Sequence, residues 1–482
     1  MDVVLDIVTK SWFIPTVLVT IVLGAIVWWK TKWSHLSKYK NLPPFERGLP
    51  LVGHALTFGQ DPLAFADKTY KKLGPVFTIE VLGKRMTFLV GPEAQEPFFT
   101  GKDTELDQNE PYNFAVPIFG PGVVYDVPLE VRQQQLKFLR AALRTEKMKA
   151  YVAPIIFEAK DFFNQWGNKG VIDLRDELAK LIILTASRAL MGDDVREKLS
   201  GKVAELFQCL DEGLTTVTMF WRDAPTPAHA RRDAARLEMC ELFSKIIKER
   251  REHPDVKHED ALQSFMDQKY KDGRKLRVEE LAGMMIAMLF AGQHTSSVTS
   301  SWTGLFLMNN PKYLEKVLEE QEENIKKYGE DLTYEALNDM PFLHACVKEA
   351  LRIHPPIIFL MRKLMVDMKI CDYDIPTGDV LFTSPALSGW HSSNFEDPTT
   401  YDPYRWLGER DEDKKKKFGF IGFGGGRHTC LGEQFGYLQV KTIWSTLFRK
   451  YNFKLLDPFP SPDYTALVVG PKPCRVEFTK KE

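Results

Sequence analysis

The chain has 482 residues, 44% of them hydrophobic, 27% charged and 12% aromatic, which is enough apolar material for a large core. Sixty-four basic side chains against sixty-five acidic ones leave a formal charge of -1, so there is no electrostatic reason to expect nucleic acid as a partner. The six cysteines (Cys209, Cys240, Cys346, Cys371, Cys430 and Cys474) contain no CxxC pair. That spacing suggests neither a zinc site nor a disulfide framework and suits a reducing compartment. Five of them read as ordinary buried small residues; Cys430 stands in different surroundings.

In chain order, the first signal is a run without charge from Phe13 to Trp29, almost wholly apolar from Val17 onward. With its flanks it matches the ~20 residues that cross a ~30 Å bilayer core. Trp12, Trp28, Trp29 and Trp33 sit at its ends, where indoles favour the lipid–water boundary. Asp2 and Asp6 precede the run and Lys30, Lys32, Lys38 and Lys40 follow it, which predicts a single membrane anchor over 1–33 with the rest of the chain in the cytosol. A cleaved signal peptide fits less well, because the start is acidic and no small-residue cleavage site follows. Two proline-containing stretches, Asn41–Phe45 and Gly48–Gly53, make 34–53 a stiff hinge. The catalytic body is expected over 54–482.

Val76 to Val90 reads as a β-hairpin with its turn around Gly83-Lys84. Most of the remaining chain has helical periodicity. The longest candidate helix, Val278 to Asn309, ends before Pro311 and would be about 45 Å long. Its middle is apolar on every face, so it should lie buried at the centre of the fold. Glu349 and Arg352 share one helix face, which alone would suggest a surface ion pair. Thr295 alone would be a mid-helix threonine bonded to its own backbone. Lys414–Lys417 reads as a solvated loop.

Phe423-Gly-Gly-Gly-Arg-His-Thr-Cys-Leu-Gly432 is the most informative stretch. Adjacent glycines let a large flat group lie close to backbone. Cys430 precedes a helical pattern running from Glu433 toward Arg449, and free N–H groups at a helix start favour a thiolate there. A thiolate is the axial ligand that haem iron needs for O–O cleavage. The plain alternative is a glycine-rich turn with a buried cysteine. A phosphate loop is excluded by the missing Lys-Ser/Thr pair.

This stretch resembles the cysteine-loop signature of the cytochrome P-450 superfamily, with Phe423, Gly426, His428, Cys430 and Gly432 in its defining places. Glu349-Ala-Leu-Arg352 resembles the family's Glu-x-x-Arg motif, and Tyr401–Trp406 its later Pro-x-Arg segment, although Tyr404 stands where Glu is common. Ala291-Gly-Gln-His-Thr295 resembles the oxygen groove of its central helix. The resemblance implies a mainly α fold with small β-sheets, haem b ligated by Cys430, and a buried ion cluster of Glu349, Arg352 and Arg405. With no flavin or nicotinamide fingerprint, electrons would come from NADPH through a separate flavoprotein, NADPH–cytochrome P-450 reductase. An endoplasmic reticulum location is implied as well.

Tyr112–Asp126, Gly292–Ser297 and Leu360–Lys363 resemble the sterol 14α-demethylases more narrowly. By that resemblance Tyr112, Tyr125, Arg362 and His428 meet the haem propionates. The familiar Trp-x-x-x-Arg after Tyr125 is missing, leaving Arg132 and Lys137 as substitutes. Phe114, Phe119, Leu136, Met284, Ala287, Phe290, Ala291, Ile357, Leu360 and Leu467 would line a sterol cavity, although each is also a reasonable core residue. The implied reaction is three successive oxygenations of one methyl group ending in formate. Thr295 would relay the proton, with His294 titrating in its ordinary range near neutral pH and Asp211 (or Glu212) as its acid partner. Phe114 resembles the plant-like enzymes and implies a C4-monomethyl substrate such as obtusifoliol over lanosterol. Azole-type haem-binding inhibitors are implied by the same likeness. Other lipid monooxygenases of the superfamily, a haem-dependent isomerase or dehydratase, and a non-catalytic sterol-binding protein are the competing readings.

Overall fold

The computed structural model describes residues 34–482 and scattered helical positions between Pro15 and Thr31. The expected anchor over 1–33 lies largely outside the described residues, among which no helix is long and apolar enough to cross a membrane. After a 3-10 turn at Ser34–Lys38 the hinge is clamped rather than free. Tyr39 Oη donates to Asp367 Oδ1 at 2.7 Å, and the Asn41 side chain donates to the Asp372 carbonyl at 2.8 Å. Phe45–Glu46 then joins the main sheet, parallel to Val76–Val81.

The fold is mainly helical with small sheets. The largest sheet has six strands in the order Phe45–Glu46, Val76–Val81, Lys84–Leu89, Val380–Thr383, Leu360–Leu364 and Leu106–Asp107. The expected hairpin is present, but its turn is Leu82-Gly83, one residue earlier than predicted; Lys84 already pairs with Val81. Both turn residues have positive φ, 48° and 74°, the geometry whose twist suits a two-residue hairpin. Phe77 and Phe88 stack across the two strands at 5.0 Å and close the small core beneath the sheet.

The central helix, Val278–Asn309, is the axis of the main core. Its start is capped by Glu280, whose carboxylate accepts from the Arg277 N–H at 2.8 Å. It packs on the helix Glu433–Lys450 through an unusually close contact. A methyl group at Gly304 would lie 2.0 Å from the Trp444 ring, and Trp444 Nε1 donates to the Ser300 carbonyl at 2.9 Å. Only a residue without a side chain permits that approach, so the second helix is held in one place against the first.

Glu349 and Arg352 are not a surface pair. Both lie wholly inside the protein, on the helix Pro341–Ile353. Arg352 forks onto the Glu349 carboxylate at 2.7 and 2.9 Å, and Arg405 Nε reaches the same group at 3.0 Å. Trp406 Nε1 and the Asp402 N–H add two more donors, while Glu412 neutralises Arg405 from the other side at 2.8 Å. Tyr404, which departs from the family pattern, is 46% exposed and lies tilted against Phe342 outside the cluster. Buried charges of this kind are costly when one partner is lost. Glu349→Ala should therefore lower the unfolding free energy by about 3–5 kcal/mol in a denaturant titration, and a loss below about 1 kcal/mol would mean that water reaches the guanidiniums.

Candidate active site

The cysteine loop is shaped by backbone. The Cys430 N–H donates to the Phe423 carbonyl at 2.8 Å, closing the turn, and Gly424 and Gly426 adopt φ of 74° and 61°. A methyl group at Gly426 would fall 2.1 Å from the Phe99 carbonyl oxygen, so the loop lies directly on the helix Pro92–Thr100. The helix Glu433–Lys450 begins at once, with Gly432 as its cap. Cys430 is solvent-accessible, yet protein surrounds most of it. Burial pushes its thiol up, against the N–H groups of Gly432 and Glu433, which pull it down. The N–H groups at the helix start favour the thiolate, as expected, and burial opposes them.

The central helix opens at one point. Residues 280–289 and 296–307 are buried, but Ala291 is exposed and Gly292 to Thr295 are half-buried. A methyl group added at Gly292 would meet no atom within 4 Å. An accessible stretch in the middle of a sealed helix marks a hollow against its flank. Thr295 Oγ1 donates to the Ala291 carbonyl at 2.6 Å. His294 Nε2 stands 3.3 Å from Asp211 Oδ1, without the alignment of a hydrogen bond. Burial pushes the His294 imidazole below its usual range; Asp211 opposes this and Arg175 adds to it. The expectation of an unshifted histidine is therefore corrected: the ring is desolvated and mainly neutral at pH 7.

A loop from Tyr112 to Asp126 reaches this opening through a chain of rings. Tyr112 stacks on Tyr125 at 5.2 Å, Tyr125 meets Phe119 at 6.2 Å, Phe119 meets Phe290 edge-on at 6.2 Å, and Phe290 meets His294 at 5.2 Å. Burial pushes the Tyr125 phenol up to about 12, so it remains a donor. Tyr112 Oη accepts from the Met361 N–H at 3.2 Å. Next to it, Arg362 is buried over the Phe98 ring, with Nη1 on the Met361 carbonyl and no partner for Nε among the described residues. His428 Nε2 lies 2.6 Å from Asp103 Oδ1; burial and Arg362 push the imidazole down against the pull of Asp103.

Tyr112, Tyr125 and Arg362 are thus brought together by the ring stack and the Met361 backbone, with His428 within electrostatic reach of Arg362. Among the proposed cavity walls, Phe119, Leu136, Phe290, Ile357, Leu360 and Leu467 are half-buried, Phe114 and Ala287 nearly closed, and Met284 fully enclosed in the main core. The Leu467 and Ile357 segments are adjacent, since the Val469 N–H donates to the Pro356 carbonyl at 2.9 Å. Arg132 is buried with Nη1 on Asn109 Oδ1 at 2.5 Å, whereas Lys137 is exposed. Cys371 is also exposed, unlike the small core residue expected. Asp103, Arg175 and Asn109 were not anticipated, because isolated polar residues in loops or on helix faces carry no periodic signal.

A family model for cytochrome P-450 matches residues 43–478. The chain is 46% identical to the obtusifoliol 14-alpha demethylase of Triticum aestivum, covering 89% of this chain and 96% of that one. It is 46% identical to the sterol 14-demethylase of Arabidopsis thaliana (90% and 91% covered) and 39% identical to the lanosterol 14-alpha demethylase of Cunninghamella elegans (92% and 92%). The solved structure of retinoic acid bound cyanobacterial CYP120A1 superposes with a TM-score of 0.81 at 25% identity, covering 92% of this chain and 99% of that one.

The loop geometry has a direct test. Gly426→Ala forces a methyl group into the Phe99 carbonyl in left-handed backbone and should cost about 1–3 kcal/mol in unfolding free energy. Gly436→Ala, whose methyl group would meet only the Phe423 ring at 3.9 Å inside a helix, should be neutral or stabilising. Equal effects of the two in a denaturant titration would refute the steric account.

Proposed function

The chain belongs to the cytochrome P-450 family, and from that premise we propose that it is a sterol 14α-demethylase. The observation that carries the reading is an accessible thiol at the start of one helix packed on a second helix whose otherwise buried middle opens at Ala291–Thr295, in a chain with plant relatives named obtusifoliol 14-alpha demethylase and sterol 14-demethylase. Haem b fits these residues. Cys430 would hold its iron through sulfur, Phe423 and Gly426 would shape the loop that carries that sulfur, and Gly292 would leave room along the central helix. Arg362, whose buried Nε has no partner among the described residues, together with Tyr112, Tyr125 and His428, would hold the propionates. Bound there, thiolate-ligated haem supplies O2 binding and O–O cleavage.

The protein's own residues would orient the sterol and move protons. Phe114, Phe119, Leu136, Met284, Ala287, Phe290, Ala291, Ile357, Leu360 and Leu467 are the proposed apolar walls. Phe114, nearly closed and 6.0 Å from the Tyr112 ring, narrows the end that would meet the sterol A-ring and favours one C4 methyl over two. The relay would run from half-exposed Asp211 to His294 and then to Thr295, whose hydroxyl must leave the Ala291 carbonyl to deliver its proton. Because His294 rests neutral, it would pass a proton through its ring rather than wait as a cation. Electrons would come from NADPH through a flavoprotein reductase. Residues 1–33 would anchor the chain in the endoplasmic reticulum membrane, 34–53 would fix the attitude of the body, and 54–482 would form the cytosolic catalytic domain. Azole-type molecules that bind haem iron should compete with the sterol.

With reductase and NADPH, the protein should convert obtusifoliol faster than lanosterol, releasing formate, while Cys430→Ser should lose both turnover and the thiolate-type absorption of the reduced carbon monoxide complex. Turnover without formate, or none with any 14α-methyl sterol, would sink the proposal. The relay predicts that kcat falls as pH drops through the lowered His294 pKa, because protonation removes the ring nitrogen that must accept the incoming proton. Asp211 holds that pKa up, so Asp211→Asn should move the falling limb to lower pH; a limb that stays in place would exclude His294 from the relay.

A further inference from the structure

Gln135 lies in the middle of the helix Leu129–Ala142 with no accessible surface, although nothing about its position on the helix calls for a polar side chain. A buried amide is costly unless each of its polar atoms is met. Here each is. Oε1 accepts from the Val124 N–H at 2.7 Å, and Nε2 donates to the Gly122 carbonyl at 2.9 Å and to Tyr270 Oη at 3.0 Å. The opposite orientation would set the amide nitrogen against an N–H donor and its oxygen against a carbonyl, so the assignment comes from the partners.

The segment held by this amide is strained. Val124 has φ of 46°, the left-handed region, which is unfavourable for a β-branched residue; Gly122, at 77°, takes the same region freely. Val124 directly precedes Tyr125, so its backbone angles aim the Tyr125 ring at Tyr112 and Phe119. The Asp126 carboxylate ties the loop from its other end, accepting from the Gly122 N–H at 3.0 Å. Strain of this kind persists only where neighbours over-determine it.

We infer that Gln135 is a positioning residue for the roof of the substrate cavity: its amide pins Val124 in left-handed backbone and thereby sets the Tyr125 ring. The inference rests on the function proposed above. Gln135→Met has nearly the same shape, no donor and only a weak acceptor in its sulfur. It frees Val124 to return to an ordinary conformation and swings Tyr125 out of its stack.

In the holoenzyme, Gln135→Met should raise the obtusifoliol dissociation constant, read from the sterol-induced absorption shift, by up to about tenfold, the worth of one lost hydrogen bond. Adding Val124→Gly should restore part of the affinity, because glycine holds the left-handed angle without a pin. Tyr270→Phe removes one acceptor from Nε2 but leaves the Val124 bond, so it should lower Tm while keeping the dissociation constant within about twofold of wild type. That variant keeps its aromatic packing on Phe138 and serves if Gln135→Met does not accumulate. A Gln135→Met protein with lowered Tm and unchanged sterol affinity would overturn the inference. So would a double variant that recovers nothing, or a tenfold loss in Tyr270→Phe. Sterol affinity is read without turnover, so failure of this inference is distinguishable from failure of the proposed activity, which wild-type product formation alone decides.

Discussion

The seam between the central helix and the helix Glu433–Lys450 fixes everything around it. Gly304 lets the Trp444 ring rest on backbone, and the indole N–H is satisfied by the Ser300 carbonyl. Two rigid cylinders pressed together this closely cannot slide by a fraction of a turn without a clash, because interiors are packed like solids. Cys430 sits just before one of them and the accessible stretch Ala291–Thr295 lies in the other, so the two chemical features inherit the precision of the seam. The buried cluster around Glu349 does the same for the segment that leads from Tyr401 to the cysteine loop.

Around that frame, low polarity is the common theme. Burial pushes the Cys430 thiol and the Tyr125 phenol up and the His294 imidazole down, so each group is driven toward its neutral form. A site prepared in this way holds little resting charge of its own and leaves Arg362 as a buried cation that still has hydrogen-bonding capacity. An anionic group placed beside Arg362 would be attracted more than in water, since opposite charges attract more in a medium of low dielectric constant. In the proposed relay, protons enter this interior from the exposed side at the half-exposed Asp211, beside His294.

The roof is aromatic, and rings transmit position well. From Tyr112 to His294 five side chains touch in succession, so a shift at one end of the loop is felt at the helix. Each ring contact is worth only about 0.5–1.5 kcal/mol beyond its buried area. Such a chain needs a fixed end, which is why a strained valine pinned by a buried amide has consequences out of proportion to one hydrogen bond.

Local patterns carried a large part of this molecule. Glycine spacing announced the cysteine loop, the unbroken apolar stretch announced a buried central helix, and Glu349/Arg352 announced a shared helix face, because each depends on neighbours within a turn or two. The hairpin was legible to within one residue; a glycine can occupy either place in a two-residue turn, and only pairing chose Leu82-Gly83. Folding alone decided the rest. Glu412 and Trp406 completed the ion cluster, Asp103 met His428, Arg175 came near His294, and Gln135 found Val124, all across separations with no periodic meaning. The lowered pKa of His294 could not be read from the chain for the same reason. A helix start or a histidine can be seen in a string of residues, but the depth of burial that shifts its charge is a property of everything packed around it.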